Sequence, residues 1–146
     1  MKKTLLIASA LAVVAVAGLA AAQMAKTPSP AAAKVYIVAP KNGDTVGSPF
    51  TVQFGLKGMG VAPAGVTTAA DTPTGHHHLL IDVATMPDMN VPLPATDNIR
   101  HFGKGQTETD LTLPAGRHTL QLVLGDAMHT PHDKPVMSEK ITITVK

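Results

Sequence analysis

The most chemically suggestive residues of this sequence are three consecutive histidines, His76, His77 and His78, which lead directly into an apolar run over residues 79–83. Neutral imidazole is a good ligand for Cu(II), Zn(II) and Ni(II). The run is typical of a β-strand, in which neighbouring side chains point to opposite faces. His76 and His78 therefore share one face, about 7 Å apart, which we expect to be exposed. His77 shares the other face with Leu79 and is expected to be a hydrogen-bonded core histidine.

The segments around these histidines predict a series of short strands joined by turns. Residues 50–57 alternate between apolar and polar side chains, and residues 118–124 do so again. Two Gly- and Pro-rich segments, 58–74 and 86–98, are expected to be irregular. Strands are predicted at residues 34–39, 50–57 and 106–113. Two more strands begin at His76 and at Arg117, and the last runs through residues 141–145 after a bulge or a late start.

This pattern predicts an all-β fold, an immunoglobulin-like β-sandwich of about six or seven strands over residues 34–146. Residues 40–50 resemble the first turn of bacterial immunoglobulin-like domains, and residues 113–120 resemble their corner between strands E and F. His118 stands where a corner tyrosine is common, and we expect it to form hydrogen bonds there. In this topology six of the seven histidines converge on one end of the sandwich, and His118 lies at the other.

The converging histidines predict a transition-metal site. His76 and His78 on a strand, closed by His129 and His132 from a loop, supply four nitrogen ligands for copper, which we favour, or for zinc. A thioether from Met128 would favour Cu(I). The predicted ligands are His76, His78, His101, His129, His132 and Met128.

Two further residues are expected to support this site. Met59, in the loop before the histidine strand, offers a second thioether sulfur. Asp126 is expected to orient one of the ligand imidazoles without binding the metal itself.

Other interpretations use the same residues without a metal. The histidines could form a polar loop network in a protein-interaction or structural module of the cell envelope. A metal-dependent hydrolase is a weaker alternative, since the sequence has no nucleophile elbow, HExxH motif or phosphate-binding loop. Glu108 and Glu139 are the only glutamates, and both are expected on strand surfaces. We therefore predict a protein that is not an enzyme.

Residues 1–22 predict a signal peptide, because Lys2 and Lys3 precede an apolar core that ends in small residues. An uncleaved anchor is the alternative. Cleavage after Ala22 leaves 124 of the 146 residues and, by removing two lysines, lowers the formal net charge from +2 to 0. Residues 23–33 predict a flexible Pro/Ala linker. We expect a periplasmic or secreted protein, without a membrane span after cleavage, whose candidate partner is an envelope protein.

The composition narrows the functions further. The chain has no cysteine, which excludes disulfides, thiolate ligands and cysteine nucleophiles. It also has no tryptophan, one tyrosine and three phenylalanines, so it lacks the aromatic side chains and basic clusters that bind nucleic acids.

Several longer segments resemble one uncharacterised bacterial family of exported domains. They are GHHHLLID at residues 75–82, FGKGQTE at 102–108 and HTLQLVLGD at 118–126, followed by HTPH at 129–132 and VMSE at 136–139. The resemblance implies an exported domain of this kind and no activity. Some relatives carry a rod-shape-determining label. We set it aside, since the cell-wall protein of that name spans the membrane many times, whereas this sequence predicts only a signal peptide.

Overall fold

The computed structural model describes residues 25–69 and 73–146, and the regular secondary structure of these ranges is all β-strand, as predicted. No helix in the described ranges has the length and apolar character needed to cross a membrane. The strands are β1 (Lys34–Ala39), β2 (Thr45–Val46), β3 (Phe50–Lys57), β4 (Gly60–Val61), β5 (Thr74–Ile81), β6 (Ile99–His101), β7 (Glu108–Leu111), β8 (Gly116–Gly125) and β9 (Ile141–Val145).

The smaller sheet has three antiparallel strands in the order β1-β3-β7. Strand β3 shows the predicted alternation, with Val52 and Phe54 buried and Thr51 and Gln53 exposed. A period of two fixes the register wherever one face of a sheet is buried. The predicted bounds of β1 and β3 are confirmed, whereas the strand predicted at residues 106–113 is shorter.

The larger sheet has the order β2-β9-β8-β5-β4, and β6 also pairs with β5. One edge of β5 is bonded to β8, with His76 opposite Gly125. The other edge pairs first with β4 and then with β6, where His78 lies opposite His101. Strand β5 is therefore hydrogen-bonded on both edges. A shift of its pairing by one residue would move every side chain of β5 to the opposite face of the sheet.

The two sheets share one apolar cluster, which is the main hydrophobic core. The smaller sheet contributes Val35, Val52 and Leu111, and the larger sheet contributes Leu79 and Leu122, each at most 1% exposed. Apolar burial stabilises a fold by about 25 cal/mol per Å². In a chain without cysteine, this burial holds the sheets together.

A second apolar cluster covers the outer face of the larger sheet. Leu80 of β5 and Val123 of β8 pack there against Leu93 and Ile99. The surrounding segment adds three partly buried side chains, Val83, Met86 and Met89. The segment predicted to be irregular at residues 86–98 contains no strand, and it serves as the cover of this face.

The second cluster corrects one prediction about the histidines. His76 and His78 share the face of Leu80, and they are 0% and 1% exposed rather than on the surface. The alternation of β5 was predicted correctly, but both of its faces are buried. Alternation identifies which residues share a face, whereas burial of that face depends on distant segments.

Three short strands were not predicted. Strands β2 and β4 lie in segments that we predicted to be a turn and an irregular loop, and β6 follows the Pro-rich segment. They contain only two or three residues, too few for a periodic signal. The last strand begins at Ile141, after an isolated bridge between Val123 and Met137, which confirms the predicted late start.

The amino-terminal predictions fall partly outside the described residues. The predicted signal peptide, residues 1–22, lies wholly outside them. Of the predicted linker, residues 25–33 are described, and they contact the domain through hydrogen bonds from Thr27 and Ser29. We call residues 26–29 the amino-terminal strap.

His118 forms the corner hydrogen bond that the sequence predicted. Its Nε2 lies 2.9 Å from the carbonyl oxygen of Pro114, and its Nδ1 lies 2.7 Å from Oδ2 of Asp82. Both partners accept, so both ring nitrogens donate when the ring is protonated. The hydrogen bond to Asp82 is the main cause that raises the pKa of His118 above its usual value of 6.5.

We predict that Asp82→Asn destabilises the protein more at pH 5.5 than at pH 9. Because the pKa of His118 is raised on folding, its stabilisation is complete below pH 6.5 and is lost as the pH rises through the folded-state pKa. We expect the melting temperature to fall by about 4 °C at pH 5.5, and by less at pH 9. The control is Asp97→Asn, which removes an exposed carboxylate elsewhere. Equal losses at both pH values would contradict this account.

Candidate metal centre

Strand β5 brings the first two histidines of the site together. Because side chains two residues apart lie on the same face of a strand, the rings of His76 and His78 are neighbours, with centroids 4.7 Å apart. Pairing of both strand edges fixes this position. The sequence predicted this pair correctly.

Strand β6 supplies the third ring. The β5–β6 register places His101 directly opposite His78, where cross-strand side chains meet. The centroid of the His101 ring lies 5.1 Å from that of His78 and 4.8 Å from that of His76. His101 is exposed, so it forms the solvent side of the group.

A tight loop after β8 supplies the fourth ring. His129 has a left-handed backbone, with φ of 66°, which costs a non-glycine residue about 1 kcal/mol or more. The carboxylate of Asp126 holds the loop, since its Oδ1 accepts hydrogen bonds from the backbone N–H groups of Met128 and Thr130 at 2.9 and 3.0 Å. The result is that Nδ1 of His129 lies 3.1 Å from Nε2 of His76.

These four residues, His76, His78, His101 and His129, form what we call the histidine cluster. One ring nitrogen from each lies within 4.8 Å of the others. Two ligands of one ion lie at most about 4.2 Å apart, because metal–nitrogen bonds are about 2.0–2.1 Å long. The rings would have to rotate to close this difference before all four nitrogens could bind one ion. The geometry is that of a group able to hold one metal ion.

Two rings of the cluster have buried nitrogens without partners. Nδ1 of His76 and Nδ1 of His78 are buried and form no hydrogen bond. Unpaired buried polar groups are rare in folded proteins, and each costs about 1–3 kcal/mol. Both rings therefore have bonding capacity that the surrounding protein does not use.

Burial keeps three rings of the cluster, those of His76, His78 and His101, uncharged near neutral pH. Burial is the main cause that lowers the pKa of His76 to about 4 and that of His78 to about 3, and the neighbouring imidazoles lower both further. Burial and the proximity of His129 also lower the pKa of His101. Neutral imidazole is the form that binds metals, so near neutral pH no proton has to leave these rings.

Two glycines leave room for the rings. A Cβ atom at Gly125 would lie 2.6 Å from Cε1 of His78, and one at Gly103 would collide with Cε1 of His101. Sequence reasoning did not single out these glycines. The available signal was a glycine at the end of an apolar strand, which often indicates a close approach.

The other predicted ligands lie elsewhere. His132 is fully buried, and its Nε2 lies 3.3 Å from the carbonyl oxygen of Thr74. It is not part of the cluster, so His101 takes the place predicted for His132. Met128 is 61% exposed. Met59, predicted as a soft donor, packs against the main core instead.

His77 is a core histidine, as predicted, but it is not hydrogen-bonded. Its ring packs against Phe54 with centroids 5.1 Å apart, and neither ring nitrogen has a hydrogen-bond partner. Burial lowers its pKa to about 4, which the nearby backbone of Gln106 offsets only in part. His77 is therefore neutral near pH 7 and lies on the opposite face of β5 from the cluster.

A family match accompanies this geometry. Residues 52–146 match the family described as Domain of unknown function (DUF4399). The chain belongs to this family. The predicted resemblance to an uncharacterised domain family is thereby confirmed.

The histidine cluster lies wholly inside the DUF4399 region, because its first member is His76 and its last is His129. Residues 26–29, the strap, precede that region. The matched region thus contains the four histidines of the cluster but not the strap, which contacts the loop that carries His129.

Comparisons with other proteins add no function to this DUF4399 domain. No curated protein matches the chain. Among solved structures, the endo-beta-1,4-mannanase from Thermotoga petrophila is similar, with a TM-score of 0.47 and 15% identity. The match covers 78% of this chain and 20% of the mannanase, so the chain spans about a fifth of that protein.

We predict that His77→Leu stabilises this DUF4399 domain at pH 7. The substitution replaces two unpaired buried nitrogens by apolar atoms of similar volume, so we expect the free energy of unfolding to rise by about 1 kcal/mol. Urea unfolding of the metal-free protein measures the change. A fall of about 1 kcal/mol or more in the free energy of unfolding would mean that the ring has a strong partner and would contradict this interpretation.

Proposed function

We propose that this protein binds one transition-metal ion, copper or zinc, through His76, His78, His101 and His129. One observation carries the proposal: one ring nitrogen from each of the four histidines lies within 4.8 Å of the others, and two of the rings have a buried nitrogen without a partner. Hydrogen bonding within the protein leaves those Nδ1 atoms unsatisfied, and coordination through Nδ1 would satisfy them.

The ligand atoms favour copper in its oxidised form. Four neutral nitrogens suit Cu(II) and Zn(II), and at a given nitrogen site Cu(II) binds more tightly than Zn(II). Cu(I) is favoured by thioether sulfur, but Met59 lies in the main core and Met128 is mostly exposed. We therefore place Cu(II) before Zn(II), and both before Cu(I).

The electrostatic surroundings support a bound cation. Burial lowers the pKa of His76 to about 4 and that of His78 to about 3, so these two rings are neutral near pH 7 and do not repel a metal ion. The carboxylate of Asp126 lies near enough to His76 to raise its pKa, against the larger effect of burial. The same negative charge favours a cation at the cluster.

We propose binding rather than catalysis. Four protein ligands complete a tetrahedral site, whereas catalytic zinc sites have three and keep one position open. The exposed rim formed by His101 gives an ion a path from solvent. This arrangement supports a protein that binds or carries a metal.

We also propose an exported location and an immunoglobulin-like arrangement. The residue pattern before Gln23 supports export. The strand orders β1-β3-β7 and β2-β9-β8-β5 support the arrangement, since they group the strands as in the predicted sandwich.

We predict that the untagged protein, treated with chelator, binds one equivalent of Cu(II) or Zn(II). Isothermal titration measures the stoichiometry, and electron paramagnetic resonance of the copper form should show nitrogen ligands. At a free metal concentration 100 times the dissociation constant, the stability should rise by about 2.7 kcal/mol. A protein that binds neither ion, and whose melting temperature stays constant, would contradict the proposal and leave the metal-free interaction module as the alternative to test.

We predict that His129→Gln weakens metal binding at least tenfold, because it removes one of four ligands. The matched control is His118→Gln, which removes a histidine that is bonded to Asp82 and Pro114 and is not part of the cluster. This control should keep the stoichiometry and affinity of the wild-type protein. Equal weakening by both variants would place the metal elsewhere.

A further inference from the structure

The amino-terminal strap is bonded to the loop that carries His129. The hydroxyl of Thr27 donates a hydrogen bond to Oδ2 of Asp126 at 2.8 Å. The backbone N–H of Asp133 donates to the carbonyl oxygen of Thr27 at 2.8 Å, and that of Ser29 donates to the carbonyl oxygen of Asp133 at 3.1 Å. The strap thus contacts both ends of the segment from Asp126 to Asp133.

The side chains of Ser29 and Lys26 add two further contacts of the strap. The hydroxyl of Ser29 donates to the carbonyl oxygen of Lys134 at 2.7 Å. The amine of Lys26 donates to the carbonyl oxygen of Met89 at 2.8 Å, and Met89 packs against the second apolar cluster. These residues of the predicted linker bridge the His129 loop and Met89, in the segment that covers the outer face of the larger sheet.

Asp126 transmits the contact to His129. Its Oδ2 accepts from Thr27, while its Oδ1 accepts from Met128 and Thr130, the residues on either side of His129. A carboxylate is planar, so fixing one oxygen restricts the position of the other. Asp126 is only 8% exposed, which strengthens these charge-assisted hydrogen bonds.

The contact lies outside both apolar clusters. Thr27 is exposed, and Thr27 and Asp126 border a cavity of about 350 Å³. Replacing the Thr27 hydroxyl therefore removes a hydrogen bond without disturbing core packing.

We propose that the strap positions His129 for metal binding, and that the Thr27 hydroxyl does so through the Asp126 carboxylate. This inference rests on the proposed function for its effect on metal affinity. Thr27 is a positioning residue, since it contacts none of the ligand rings. The segment before the DUF4399 region thus becomes part of the site.

The test uses Thr27→Val in the untagged protein, with metal affinity and amide hydrogen exchange as readouts. We expect affinity for Cu(II) or Zn(II) to fall about tenfold and the amides of Met128 and Thr130 to exchange faster. Thr27→Ser keeps the hydroxyl and should restore both properties. The matched control is Thr51→Val, which removes a similar hydroxyl bond, 2.7 Å long, to Asp110 on the smaller sheet.

The outcomes separate this inference from the metal proposal. If Thr27→Val binds metal as tightly as the wild type, or weakens binding no more than Thr51→Val, the strap does not position His129. If the wild-type protein binds no metal, the metal proposal fails, and exchange in the metal-free protein decides the inference alone. Unchanged exchange at Met128 and Thr130 would then overturn it, whereas faster exchange would support it.

Discussion

The burial of β5 on both of its faces is the constraint on which the site depends. On the face that carries His76 and His78, Leu80 packs in the second apolar cluster, and the two imidazoles pack against His101 and His129. Burial there removes the water that would otherwise bond their nitrogens. Burial also lowers their pKa values, so the rings stay neutral near pH 7. A free-standing strand with the same sequence would present two ordinary, hydrated histidines. The capacity of the site to hold an ion thus follows from what packs above it.

Sheet and loop contribute differently to the cluster. Three rings lie on strands whose positions are set by backbone pairing, and that pairing cannot shift without reversing both faces of β5. The fourth ring, His129, lies on a left-handed turn outside the strands, which the Asp126 carboxylate and backbone hydrogen bonds hold. Small changes in the position of this loop therefore alter the geometry more readily than changes within the sheet. The strap contacts the structure at this adjustable point.

Local patterns predicted a substantial part of the fold. The bounds of β1 and β3, the alternation along β5 and the hydrogen bond of His118 near its own corner were predicted from short-range signals, whereas its bond to Asp82 was not. The ligand set was predicted only in part, since His132 was favoured over His101. His101 reaches the cluster through β6, a strand of three residues, which is too short to show a period. His77 was correctly placed in the core, but its missing hydrogen bonds depend on neighbours from other strands.

The sequence by itself determined which side chains share a face, because alternation along a strand is a property of the backbone. It also determined the chemistry available, since a chain without cysteine offers imidazole rather than thiolate to a metal. Only the tertiary structure decided which histidines meet and whether they are buried. Those outcomes depend on pairing and packing between residues far apart in the chain, such as His76 with His129, and no local pattern encodes the distance between them.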